Sequence, residues 1–145
     1  MQALELMKTH VVKTTPDAPL SEAVDLMDLY QVSGLPVVDG EGRLCGMLTE
    51  RDVLRAILSK VPAESPDLSE QEFCARLDAG VGNQPVGLYM TQPAVSIEET
   101  AEVRQAAMLM FRSGLKRLPV TTEENVVVGT LNRIDLFQAL FEGAL

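Results

Sequence analysis

The sequence predicts an α/β (α+β) fold made of two pseudo-twofold-related β-α-β-β-α repeats forming one compact module. Three observations predict it. Residues 7–58 fall on residues 90–141 when slid forward by 83 positions without a gap. Met7 then lands on Met90, Val12 on Val95, Leu26-Met27 on Leu109-Met110, Pro36-Val37 on Pro119-Val120, Gly46 on Gly129 and Asp52 on Asp135. A repeat of this size is one supersecondary unit used twice, and two copies are too few for a solenoid, so a closed pair completing a single core is expected. Within each copy, short extended runs alternate with helical spacing. The length of 145 residues suits one domain, which buries about two thirds of its unfolded surface.

In the first copy, Val11 to Thr14 is a short strand closed by Pro16, which pushes Thr15 out of helical space. Leu20 to Tyr30 has helical spacing, with Leu20, Ala23, Val24 and Met27 on one face. Gly34 breaks that helix. Leu35 to Val38 is the next strand, its early Pro36 suggesting an edge or first position. The cluster Asp39-Gly40-Glu41-Gly42 turns it into a hairpin with Arg43 to Leu48. Thr49 starts the last helix, with Val53, Leu54, Ile57 and Leu58 inward. The second copy repeats the plan over Ala94–Ile97, Glu99–Arg112, Arg117–Thr121, Val126–Leu131 and Asn132–Phe141. Residues 59–88 are the stretch that does not repeat, and there Ser65-Pro66 and the box Ser69-x-x-Glu72 predict a short amphipathic helix around Leu68, Phe73 and Leu77 that Gly80, Gly82 and Pro85 end. The expected boundaries are 1–60 for the first repeat, 61–88 for the connector and 89–145 for the second repeat.

Apolar residues make up 46% of the chain and aromatics 4%, with no Trp, so the core is aliphatic. A net charge of −9 argues against nucleic acid as partner, because affinity there comes from Lys and Arg on phosphates. A small anion needs only a few local donors. Cys45 and Cys74 form no CxxC pair and fit a reducing compartment. No segment resembles a signal peptide or a membrane span, so a soluble, cytoplasmic protein without membrane insertion is expected. No Ser, Cys or Lys nucleophile has a plausible base, His10 stands alone, and no metal cluster emerges. The expectation is no enzyme and no catalytic cofactor.

Ala106 to Phe111 is an unbroken apolar run, and Leu26-Met27 with Leu29-Tyr30 covers more than one side of the matching helix. A helix apolar all round buries two faces. One covers the sheet; the other meets another chain, giving a homodimer through the long helices, or else lies sandwiched within the monomer.

Gly46-Met47-Leu48-Thr49-Glu50-Arg51-Asp52 is the most specific local feature. A strand ends and a helix begins there, with Thr49 and Asp52 three apart. A hydroxyl beside the free amides of a helix N-terminus makes a phosphate site, and a carboxylate one turn in can accept two hydrogen bonds from a ribose diol. The same spacing is that of a capping box with Asp in place of Glu, which steadies the helix with no ligand. Spacing alone leaves both open.

The tandem order of these motifs resembles the CBS domain family, named for cystathionine β-synthase, in its stand-alone paired form (the Bateman module). The resemblance covers nearly the whole chain. It rests on Ser33-Gly34-Leu35-Pro36-Val37-Val38-Asp39, the Gly46 to Asp52 segment, Leu118-Pro119-Val120 and Tyr89-Met90-Thr91. It implies a β-α-β-β-α pair that dimerises into a flat disc and senses an adenosyl ligand such as AMP, ADP, ATP or S-adenosylmethionine.

The resemblance also implies how sites are assembled, the Thr-x-x-Asp segment of one repeat facing the first strand and pre-proline residues of the other. One site would combine Met47, Leu48, Thr49 and Asp52 with Val95, Ser96, Lys116, Arg117 and Leu118. Asp52 would hold the ribose hydroxyls and Thr49 a phosphate oxygen. Lys116 and Arg117 would neutralise phosphates, with Arg suited to forked contacts. The second, weaker site would pair Leu131, Asn132, Arg133 and Asp135 with Val12, Val32, Ser33 and Gly34. Here the sequence departs from the family, because Asn132 stands where Ser or Thr is usual. Asn caps a helix equally well but offers an amide to the ligand, with Arg133 as a compensating phosphate partner.

The leading expectation is a regulatory module that binds an adenine nucleotide between its repeats and signals in trans to a protein partner. The alternative is a ligand-free dimeric adaptor whose Thr-x-x-Asp and Asn-x-x-Asp segments are only caps.

Overall fold

The computed structural model describes residues 1–62 and 67–143. A one-turn helix α1 (Ala3–Leu6) opens the chain, followed by helix α2 (Leu20–Tyr30), strands β1 (Gly34–Val38) and β2 (Leu44–Thr49), and helix α3 (Glu50–Ile57). A short helix α4 (Glu70–Ala75) and two 3₁₀ turns (Ala79–Asn83 and Val86–Leu88) follow. The second half holds strand β3 (Ile97–Glu98), helix α5 (Val103–Ser113), strands β4 (Arg117–Thr121) and β5 (Val127–Asn132), and helix α6 (Arg133–Phe141).

The two hairpins share one register. Gly34 faces Thr49 and Pro36 faces Met47, as Arg117 faces Asn132 and Pro119 faces Thr130, and each hairpin has its irregularity after the valine that follows the proline. Pro36, expected at an edge or first position, lies in the two-stranded sheet β1-β2, but its counterpart Pro119 does not mark an edge. β4 is the central strand of its sheet, and β1 is flanked by Thr14 on its other side. Both prolines limit the first strands. Thr14 donates its N–H to Pro36 O (3.0 Å) and accepts from Val38 N–H (2.9 Å). Continuing that parallel ladder backward would need an N–H at Pro36, which proline lacks. The strand expected at Val11 to Thr14 is therefore a single bridge, and the one expected at Ala94 to Ile97 is the pair Ile97–Glu98 beside Pro119.

The halves exchange arms. Ala3, Leu4 and Lys8 of the first copy donate N–H to Ala101, Glu99 and Thr130 of the second, at 2.8, 2.9 and 2.8 Å. Their counterparts Val86, Gly87 and Thr91 donate to Ala18, Pro16 and Met47, at 2.9, 2.8 and 2.7 Å. The arms run so close to the hairpins that only glycine fits beneath them. A Cβ on Gly46 would lie 2.9 Å from Thr91 O, and one on Gly129 would lie 2.8 Å from Lys8 O and 2.5 Å from Met7 Sδ. At the pseudo-twofold axis, Leu44 N–H meets Asn125 O and Val127 N–H meets Gly42 O, both at 3.0 Å.

Instead of the single core expected, there are two clusters. Leu20, Ala23, Met27, Leu35, Val37 and Leu48 gather with Val86 in one, and Val103, Ala106, Met110, Leu118 and Leu131 gather with Ala3 in the other. Each arm thus fills the core of the opposite half. Other details depart from expectation. Val24 and Leu54, placed inward by spacing, are exposed. α2 ends at Gln31, which itself takes the left-handed conformation (φ 53°), three residues before Gly34. α5 starts at Val103, not Glu99, because Glu99 donates to Thr121 O (2.8 Å) and the carbonyls of Glu99 and Ala101 accept from the arm. Ser69 caps α4 through Glu72 N–H (3.1 Å) as expected, but Leu68 and Leu77 lie outside that helix. The Ser65-Pro66 part of that helix signal falls outside the described residues. No described helix is long and apolar enough to cross a membrane.

Candidate functional site

Each half ends its second strand at a strand-to-helix junction, and the two junctions differ. In the first, Thr49 and Asp52 form a complete capping box. Asp52 Oδ2 accepts from Thr49 N–H (2.9 Å) and from Thr49 Oγ1 (3.1 Å), and Asp52 N–H donates to Thr49 Oγ1 (3.3 Å). The arm closes the remaining oxygen, with Thr91 Oγ1 donating to Asp52 Oδ1 (2.9 Å). Asp52 is buried and both its oxygens are occupied.

In the second junction the cap is opened by a cation. Arg117, opposite Asn132 in the hairpin, donates from Nε to Asn132 Oδ1 (2.8 Å), and Asn132 makes no side-chain cap to α6. Asp135 is the counterpart of Asp52 and is buried just as Asp52 is, yet its Oδ2 has no hydrogen-bond partner among the described residues. Among the described residues its Oδ1 is approached by Lys8 Nζ at 3.9 Å, from the arm position that Thr91 holds in the other half. Burial pulls the Arg117 guanidinium below its ordinary range, and the charge of Asp135 pushes it back up. A buried carboxylate oxygen left unpaired costs free energy.

The structure brings together only part of each expected set. The arms cross between halves, so Thr91 reaches Asp52 and Lys8 reaches Asp135, while residues 9–13 and 92–96 lead from those contacts to the first strands. The pre-proline residues do not cross. Glu50 N–H donates to Ser33 O (3.0 Å) and Gly34 faces Thr49, whereas Arg133 N–H donates to Lys116 O (2.9 Å) and Arg117 faces Asn132. Lys116, Arg117 and Leu118 therefore belong with Asn132 and Asp135, not with Thr49 and Asp52. Val32, Ser33 and Gly34 belong with the first junction. Leu48, Leu118 and Leu131 are fully buried core residues behind the junctions, Val32 is buried, and Met47, Val12, Val95 and Ser96 are half-buried. Sequence reasoning did not count Lys8 and Thr91 in the sites. The signal was present, since both stand one residue after the methionine that lies over Gly129 or Gly46.

The exchange makes the junctions electrostatically unlike. The second junction carries Lys8, Lys116, Arg117 and Arg133 where the matching positions of the first hold Thr91, Ser33, Gly34 and Glu50, while the first has Arg55 Nη1 3.8 Å from Asp52 Oδ1 where the second has Gln138. Beside the first junction, a cleft of about 410 Å³ opens between α2 and α3, lined by Val24, Met27, Val32, Ser33, Glu50 and Val53 among others. Among the described residues no three His, Cys, Asp or Glu side chains converge as metal ligands do.

The family model for the CBS domain matches twice, over residues 3–59 and 86–142. Inosine-5′-monophosphate dehydrogenase of Methanocaldococcus jannaschii is 31% identical over 137 residues, covering 94% of this chain and 23% of that protein. A second, uncharacterised protein of that organism is 27% identical, with 94% of this chain and 41% of the relative covered. The chain thus spans less than half the length of these curated relatives. Among solved structures, CBSX2 in complex with AMP superposes with a TM-score of 0.76 at 20% identity, covering 99% of this chain and 98% of that one. A CBS domain pair solved with 5′-methylthioadenosine and S-adenosyl-L-methionine superposes at 0.72 and 19% identity, covering 100% and 98%. At these identities the likeness shows the fold.

Proposed function

The chain belongs to the CBS domain family, and from that premise we propose that it is a regulatory module binding an adenine nucleotide at its second junction. The observation that carries this reading is Asp135, a buried carboxylate with one oxygen unpaired, beside Lys8 and Arg117. A ribose hydroxyl supplies the donor that the unpaired oxygen of Asp135 lacks, and its neighbour in the diol can join Lys8 at the other oxygen. Phosphates suit the cations Lys8, Lys116, Arg117 and Arg133, with the uncapped first turn of α6 adding backbone amides. Solved relatives of the same fold hold AMP, or 5′-methylthioadenosine and S-adenosylmethionine. The cations favour a phosphorylated ligand (AMP, ADP or ATP) over the sulfonium. The module is a homodimer through its long helices, acts in the cytoplasm, and signals to a partner protein without catalysing a reaction. A ligand shifts that output only through different affinity for two states.

A second reading fits the first junction. The complete Thr49–Asp52 cap, closed by Thr91, favours a purely structural role there, as in an adaptor. A thermal-shift panel with AMP, ADP, ATP, S-adenosylmethionine and GTP separates the two. A rise of several degrees with one adenine nucleotide supports the sensor, because only a ligand of the native state raises the melting temperature. A flat panel, checked by direct binding, leaves the adaptor.

A further inference from the structure

The outer helices of the two halves carry opposite charge. α2 bears Glu22, Asp25 and Asp28, all exposed, and no Lys or Arg. α5, its counterpart, bears Arg104 and Arg112, both exposed, and no Asp or Glu. The carboxylates Asp25 and Asp28 fall on the repeat positions of Met108 and Phe111, beside those of Arg104 and Arg112. α6 adds an exposed Arg133, and α3 adds Glu50 against Arg51 and Arg55. Shape differs too. The first half has the cleft between α2 and α3, whereas the second presents Phe111 and Phe141, each 89% exposed, with Met108, Ile134 and Phe137 around them.

From this we infer that two copies assemble head to tail, α2 and α3 of one protomer packing on α5 and α6 of its partner, with aromatic side chains of the second half entering the cleft of the first. The inference rests on the dimer proposed above and fixes its orientation. Head-to-head assembly would set the first half, whose exposed Glu22, Asp25, Asp28 and Glu50 outnumber Arg51 and Arg55, against itself and the α5 and α6 arginines against themselves, and like charges brought together weaken association. Head-to-tail assembly sets the net acidic first half against the net basic helices of the second at both contacts of a closed twofold pair.

Sedimentation equilibrium of the full chain tests this in two ways. Salt screens exposed charges, so raising it should weaken the wild-type dimer if the contact is attractive; tightening with salt would overturn the orientation. Arg104→Glu with Arg112→Glu, or Asp25→Lys with Asp28→Lys, should each weaken the dimer about tenfold or more, and all four changes on one chain should restore it. A wild-type dimer indifferent to either reversed pair, or a four-change chain no tighter than the reversed pairs, overturns the head-to-tail contact. A wild-type protein that sediments as a monomer overturns the dimer itself.

Discussion

Asp52 and Asp135 occupy the same place in two copies of one unit, at the third residue of a helix after a strand, and their surroundings differ. Asp52 is closed by Thr49 on one side and the Thr91 hydroxyl on the other. Asp135 has lost its cap partner to Arg117 and among the described residues has Lys8 at 3.9 Å and the charge of Arg117 nearby. Duplication supplies the scaffold, and a few side chains then divide the labour. One junction is locked for stability; the other keeps a buried carboxylate unsatisfied, a cost that makes sense where a ligand repays it.

The largest test of this comparison lies under the arms. Gly129→Ala should lower the unfolding free energy by about 2–3 kcal/mol and Gly46→Ala by about 1–2 kcal/mol, because both push a Cβ into arm backbone and Gly129 has the tighter approach. Urea denaturation reads both, and equal small losses would show that the arms yield easily. Next, Asp52→Ala should cost about 1–2 kcal/mol through the cap and the Thr91 bond. Asp135→Ala should change the ligand-free protein by less than about 0.5 kcal/mol, since the lost contact with Lys8 is long and partly exposed and the buried unpaired oxygen is removed with it. Reversed magnitudes in the same experiment would break the contrast between the junctions.

A smaller effect concerns the ends of the outer helices. Gln31 holds the left-handed position (φ 53°) that Gly114 holds in the other half (φ 72°). Gln31→Gly should therefore raise stability by about 0.5 kcal/mol, the gain reduced by loss of the Gln31 Nε2 bond to Asp28 O. Smallest is a pH effect confined to one hairpin. Asp39 accepts from Glu41 and Arg43 N–H (2.8 and 2.9 Å), and those bonds, Arg43 first, lower its pKa, whereas Thr122 holds the matching position without charge. A lowered folded-state pKa gives stability that is present above the unfolded value near 4 and lost as pH falls through the folded one. Asp39→Asn should remove that part of the acid sensitivity in thermal melts, and Thr122→Val should leave the pH profile unchanged.

Much of this was legible in the sequence. The gapless repeat, the bounds of α2, both hairpins and the Thr49–Asp52 pair follow from spacing, because helical periodicity, turn residues and caps are local. The arm exchange was not, since it is made of backbone hydrogen bonds that no side chain announces except through Gly46 and Gly129. The sorting of Lys116 and Arg117 was legible in principle. A hairpin sets the first residue of one strand opposite the last of its partner, so Arg117 must face Asn132. The resemblance pointed the other way, and geometry moves the more charged junction from Asp52 to Asp135.

Isothermal titration of the wild-type chain, Asp135→Ala and Asp52→Ala with AMP, ADP and ATP addresses the central claim most directly. The account predicts that one of these nucleotides binds the wild type, that Asp135→Ala abolishes the binding, and that Asp52→Ala retains it within a few-fold. Binding that survives in Asp135→Ala and disappears in Asp52→Ala would contradict it.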